Sequence, residues 1–202
     1  MKFLNNRFLL PLAGALLLTG MQTAHADQPS RPECIAPSKP GGGFDLTCKL
    51  AQVGLKDNKI LKSPMRVTYM TGGIGAVAYN AIVANRRNEP GTLVAFSGAS
   101  LLNLALGKYG RFDENAVQWL STIGTDYGTL AVRDDSPYKN LDDVVKALKK
   151  DPKSIVVGGG GSIGGQGWMK IALLAKAAGV NPSELRYAAF EGGSEHYMAL
   201  MG

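Results

Sequence analysis

"PSKPGGGFDLTCKL", residues 37–50, decides how the rest of the chain is read. Three consecutive glycines, Gly41, Gly42 and Gly43, separate a strand-like run from an amphipathic helical pattern over Phe44–Leu55. Residues without a Cβ can turn tightly and let another molecule approach the backbone. The helix they open begins with amide groups that have no intrahelical partner. A glycine loop in front of such a helix is suited to holding an anion.

The N-terminus names the compartment in which that anion would be met. Lys2 and Arg7 precede an apolar run, Phe8–Leu18, and Ala24-His25-Ala26 has the small-x-small form of an export cleavage site. The run is shorter than a membrane span requires. Residues 1–26 are therefore expected to be a cleaved signal peptide, with Asp27 the first mature residue in the periplasm. Removing two of the 22 basic residues leaves 20 against 16 acidic ones, a net charge of +4 over 202 − 26 = 176 residues. That is too mild a charge for nucleic acid, and Lys146, Lys149, Lys150 and Lys153 read as the wet face of a helix. Both cysteines, Cys34 and Cys48, survive cleavage, and an oxidising compartment favours their pairing. Such a bond would tie the first strand to the helix after the glycine loop. On the chain-entropy account it would contribute about 3 kcal/mol.

The opening unit then recurs. Met65–Met70 is strand-like, Thr71–Gly75 a loop and Ala76–Ala84 helical. Thr92–Phe96 is followed by Ser97-Gly98-Ala99-Ser100 and a helix over Leu101–Leu106. Val117–Ile123 and Thr129–Val132 are expected strands, and Leu141–Lys150 a helix. Ser154–Val157 runs into a glycine tract, Gly158–Gly165, before the helix Trp168–Ala178. Leu185–Phe190 closes the series, with Gly192-Gly193-Ser194 opening a last helix. Alternating strands and helices predict a mostly parallel sheet, and ligands of such sheets sit at the carboxyl ends of the strands. The glycine and hydroxyl residues fall at those ends, unit after unit.

Two catalytic motifs occur within the glycine tract. Gly159-x-Gly161-x-x-Gly164 has the dinucleotide-binding spacing, but Glu184 and Glu191 are both misplaced for the ribose. Gly160-x-Ser162-x-Gly164 has the spacing of a nucleophile elbow. An exported serine hydrolase using Ser162 is the alternative reading, its partners restricted to Glu184, Glu191, Glu195 and His196; His196 itself reads as a solvated helix residue. There is no metal-ligand cluster. Lys39 is the one cation within the strand-to-helix loops, so a small carboxylate would be held by backbone amides, hydroxyls and Gln166.

These loops resemble those of the periplasmic solute-binding proteins of tripartite tricarboxylate transporters, the Bug proteins. Pro40-Gly41-Gly42-Gly43-Phe44-Asp45 is similar to the family's first binding loop. Gly72-Gly73, Ser97–Ser100, Gly161–Gly164 and Gly192–Ser194 are similar to its later ones, and the likeness runs from about Arg31 to the end. The stretch "PECIAPSKPGGGFDLTCKL" looks most like the subgroup that binds citrate and related tricarboxylates. The resemblance implies an α/β periplasmic-binding-protein-like fold, two lobes of parallel-rich sheet flanked by helices. Residues 27–124 would form lobe 1 and 125–202 lobe 2, both incomplete, because members of the family run on past Gly202 to finish the first lobe. It implies a monomer, with no cofactor, that closes over a carboxylate such as citrate and delivers it to a membrane permease. Carried over, Gly42, Gly43, Phe44 and Asp45 would form one wall with Thr71, Gly72, Gly73, Ser97 and Ser100. Ser162, Gly164, Gly165, Gln166, Gly193 and Ser194 would form the other. Asp45, in a first helical turn, is expected to cap and shape its loop more than to touch an anion.

Overall fold

The computed structural model describes residues 28–191 and 194–202. The expected leader, Asp27, Gly192 and Gly193 lie outside the described residues. The elements alternate: β1 (Glu33–Ala36), α1 (Gly43–Asp57), β2 (Arg66–Tyr69), α2 (Ala76–Asn85), β3 (Thr92–Val94), α3 (Gly98–Ala105), α4 (Leu141–Lys150), β4 (Val156–Gly160), α5 (Gln166–Ala177), β5 (Arg186–Phe190) and α6 (Glu195–Met201).

The strands form two parallel sheets, one ordered β2-β1-β3 and one pairing β4 with β5. In the first sheet the strand order reverses at β1, so the loops after β1 and β3 flank the crevice where such sheets take ligands. All four residues of β1 are buried, as its central position requires. Its first residue, Glu33, is ionised at the rim of the core. Burial would raise its carboxyl, but hydrogen bonds from Arg86 and Thr68 and the charges of Arg86 and Arg66 outweigh that and hold it low.

Each unit has its own core. Cys34, Ala36, Cys48, Met65 and Ala95 pack between the first sheet and α1, and the Cys34–Cys48 disulfide crosses that layer with its Cα atoms 5.5 Å apart. Tyr79, Val83, Leu104 and Tyr109 join α2 to α3 around Phe96. Val144, Leu148, Ile171, Ala175 and Val180 pack α4 and α5 against the second sheet. The lysines Lys146, Lys149 and Lys150 face water opposite buried Val144 and Leu148, so α4 reads as its charge pattern predicts.

Three expectations need correction. Val117–Ile123 and Thr129–Val132 are not strands. Their apolar residues have strand propensity, but no described segment offers them a ladder, and a strand without hydrogen-bonded partners is not stable. Leu120 and Ile123 are accordingly left 69% and 53% exposed. Second, β4 begins at Val156 and continues through Gly158–Gly160, residues expected to be loop. Tyr187 explains it: its hydroxyl would lie 2.7 Å from a Cβ at Gly159, so the strand needs glycine for packing. Third, His196 is not solvated. It is half-buried beside Tyr197, ring centroids 4.2 Å apart, and its Nδ1 is buried without a partner among the described residues.

Candidate functional site

The first loop is organised by a buried carboxylate. Asp45, 2% exposed, accepts hydrogen bonds from the Gly41 amide (2.7 Å), Lys49 Nζ (2.7 Å) and the Tyr69 hydroxyl (2.9 Å). Burial pushes its carboxyl up, but the bonds from Lys49, the Gly41 amide and Tyr69 prevail and hold it below the usual range. Its oxygens are spent on the protein. They shape the turn around Gly41, whose φ is +86°, and no side chain caps the start of α1 among the described residues. Phe44 packs its ring into the core beside the disulfide. Gly43 is exposed, and a Cβ there would meet nothing within 4 Å.

The second loop is held by the third. Gly72, Gly73, Ile74 and Gly75 all have positive φ, Ile74 at +58°. A β-branched residue in that region is strained by about 1–2 kcal/mol. Its carbonyl is fixed by two donors, Ser100 Oγ at 2.8 Å and the Tyr109 hydroxyl at 2.6 Å. Ser97 Oγ caps α3 by accepting from the Ser100 amide at 3.1 Å and lies 2.9 Å from Ser100 Oγ. Ser100 is fully buried, so its hydroxyl positions the Gly72–Gly75 turn and does not reach the crevice. Thr71 and Gly73 are exposed, Gly72 and Ser97 half-buried.

The fourth loop opens α5. The Gly165 amide donates to the Ser162 carbonyl at 2.8 Å, and Gly165 itself is the buried N-cap. Ser162 and Gln166 are exposed. Asn103 on α3 donates from Nδ2 to the Gly164 carbonyl at 3.0 Å and to the Ala99 carbonyl at 2.7 Å. The fifth loop reaches back to the first: the Lys39 amide donates to the Glu191 carbonyl at 3.3 Å, and Lys39 Nζ pairs with Glu195. That hydrogen bond and charge raise the Lys39 ammonium further above its ordinary value. Ser194, exposed, precedes α6, and Gly193 lies outside the described residues.

The bonds join the five strand-to-helix units in series: the fifth loop to the first, the first to the end of β2 through Tyr69 and Asp45, the second loop to the third, and the third unit's helix to the fourth loop. Of the residues that make these joins, Tyr69, Asn103 and Tyr109 were not singled out by sequence reading, and Glu195 was considered only as a hydrolase partner. Asn103 carried a usable signal, a lone amide in the leucine-rich run Leu101-Leu102-Asn103-Leu104. Among the described residues no hydrogen bond links Ser162 to His196, and no group of His, Cys, Asp and Glu is placed to hold a metal. No helix of the described residues is long and apolar enough to cross a membrane.

No family model matches the chain. It is 26% identical over 180 residues to a UPF0065 protein of Bordetella pertussis, covering 87% of this chain and 54% of the relative. Among solved structures, it is similar to the Rhodopseudomonas palustris protein Rpa4515 with adipate, with a TM-score of 0.61, 16% identity and coverage of 86% of this chain and 57% of the other. It is also similar to MatC of Rhodopseudomonas palustris with bound malate, TM-score 0.59, 17% identity, coverage 84% and 56%. The periplasmic binding protein BugD gives 0.60, 17% identity and coverage of 86% and 56%. The chain thus spans about half the length of the relatives it matches. It is similar in sequence to a UPF0065 protein and has the fold of periplasmic binding proteins such as BugD, the fold that the resemblance of its glycine loops implies.

Proposed function

We propose that this chain is a periplasmic solute-binding protein that captures a small carboxylate, a tricarboxylate such as citrate, between its two sheet units and hands it to a membrane permease. The observation that carries the reading is the set of joined loops, in which the starts of α1, α3 and α5 are presented at the carboxyl ends of parallel strands. Helix starts offer unpaired amides and a positive dipole end. The neighbours crystallised with adipate and malate support a carboxylate as the class of ligand. In this reading Gly42, Gly43, Thr71, Gly72, Gly73 and Ser97 contribute one wall and Ser162, Gly164, Gly165, Gln166, Gly193 and Ser194 the other. Asp45 and Ser100 hold the walls in shape, and residues 27–124 and 125–202 act as the two lobes. The protein acts as a monomer without a cofactor.

Thermal melts of the purified chain with citrate, cis-aconitate, succinate, glutamate and sulfate test this. A ligand at 100 times its Kd stabilises by about 2.7 kcal/mol, roughly 5–10 °C for a chain of this size. A shift with citrate or cis-aconitate and none with sulfate is expected. No shift with any carboxylate would refute the reading. Ser162→Ala should keep most of the affinity, because backbone donors remain; ester hydrolysis abolished by that change would instead establish the hydrolase alternative.

A further inference from the structure

α3 and α5 meet along a cleft of about 340 Å³ that borders the fourth glycine loop at Gly164. Its walls are apolar: Leu102 and Leu106, one turn apart on α3, face Trp168 and Leu173 on α5. Leu106 and Leu173 are 61% and 64% exposed, although each is an aliphatic side chain on a helix otherwise packed into a core. Together they give the cleft an apolar lining into which an aliphatic chain could be laid. The charged lining is cationic, beside the neutral amide of Asn103. Lys108 and Lys176 line the cleft and no acidic residue does. Neither lysine makes an ion pair among the described residues.

The two lysines are not equivalent. Lys176 sits in the last turn of α5, where the helix dipole accounts for a cation. Lys108 Nζ stands 3.8 Å from where a side chain on Gly164 would begin, at the opposite end of α5. There both the dipole and the ammonium favour an anion. From Gln166 to Leu173 the helical rise gives about 10 Å, and the further reach to Lys108 beside Gly164 leaves room for a roughly ten-carbon extended chain.

We propose that this cleft is a second binding site, for a medium-chain aliphatic monocarboxylate, with the carboxylate on Lys108 and the chain laid along α5 against Leu102, Leu106, Trp168 and Leu173. It adjoins the carboxylate site proposed for the glycine loops at Gly164 and Asn103, and its apolar wall of Leu102, Leu106, Trp168 and Leu173 lies outside that site. Because Trp168 lines the cleft, its fluorescence reports occupancy once Trp119 is replaced by Phe. Titration with decanoate, below its micelle concentration, should saturate. Octanoate should bind about tenfold more weakly, from the loss of two methylenes. Lys108→Glu and Leu173→Glu, both at exposed positions, should each weaken decanoate at least tenfold while leaving the melting temperature unchanged. Leu173→Glu, outside the proposed citrate walls, should leave citrate binding unchanged, which separates this site from that one. The proposal is overturned by any of three results: no saturable response to decanoate, equal binding of decyltrimethylammonium, or an unchanged Kd in Lys108→Glu. Sedimentation showing a dimer that Leu173→Glu dissolves would also overturn it, assigning the face to a second copy of the chain.

Discussion

The side-chain amide of Asn103 donates to the Gly164 carbonyl at 3.0 Å, bridging the first unit to the loop that opens α5. Both of its N–H groups are used, the other on the Ala99 carbonyl. Replacing Asn103 by Ala should therefore release the Gly164 loop and cost about 1–2 kcal/mol. If the loops form the carboxylate site, the Kd for citrate should rise about tenfold with it. Asn103→Asp should be worse than Ala, since a carboxylate would face two carbonyls. Calorimetric titration with citrate and a denaturant melt of each variant check this.

Gly43 and Gly98 test whether the crevice needs bare backbone. A Cβ at either would meet nothing within 4 Å, and neither has positive φ. Gly43→Ala and Gly98→Ala should therefore leave the melting temperature unchanged or raise it slightly, since alanine loses less entropy on folding. If the ligand rests on bare backbone at the starts of α1 and α3, affinity for the carboxylate should nevertheless fall several-fold. Unchanged affinity in Gly43→Ala would remove Gly43 from the proposed wall, and unchanged affinity in Gly98→Ala would show that the residue after Ser97 does not border the ligand.

Gly75 should respond in the opposite manner. Its φ is +101°, and a Cβ would lie 3.3 Å from the Tyr109 hydroxyl and 3.5 Å from Ser100 Oγ, the two groups that hold the Ile74 carbonyl. Gly75→Ala should destabilise the chain by at least about 1–2 kcal/mol through the left-handed backbone alone. A urea melt reads it directly, as a lower midpoint with an unchanged slope.

Asp45 should make the chain acid-sensitive. Its folded carboxyl titrates below the unfolded value, so the folded state binds fewer protons between the two. The contribution is complete above an unfolded value of about 4 and is lost as pH falls through the lower folded value. Glu33 is shifted in the same direction and acts over an adjoining window. The melting temperature should therefore be flat above about pH 5 and drop below about pH 4. Asp45→Asn should lower the plateau and flatten the drop. A melting series from acid to neutral pH for both proteins would show it.

The disulfide should matter chiefly to stability. Cys34 and Cys48 are 14 residues apart, and removing a bond that closes such a loop should cost about 3 kcal/mol. For a chain of this length that is roughly 6–12 °C in melting temperature. The double variant Cys34→Ala, Cys48→Ala should show the loss and should bind citrate normally once folded. A melting temperature insensitive to reduction would contradict the assignment.

The alternation of strand, glycine loop and helix was legible because each signal is local. Hydrophobic period, a glycine before a helix start and a helix length are set within ten or so neighbouring residues. On those grounds β1, α1, β2, α2, β3, α4 and β5 were readable within a few residues of where they stand. The failures have one character. Val117–Ile123 has the composition of a strand, yet strands exist only where a partner lies, and none lies beside it among the described residues. His196 reads as polar and exposed in a helix that in fact sets it beside Phe190 and Tyr197.

By itself, then, the sequence determined the kind of unit, its order along the chain, the cysteine pairing and the positions where bare backbone meets a helix start. Only the tertiary structure decided what each polar group does there. Ser100, a hydroxyl in a binding-type loop, turns inward to Ile74, and Asp45 spends its charge on Gly41, Lys49 and Tyr69. Lys39 is already engaged by Glu195, while Asn103 and Lys108 arrive beside Gly164 from some 60 residues away. A hydrogen bond depends on distance and direction to within a few tenths of an ångström. Those are set when separate units pack together, and no local pattern encodes them.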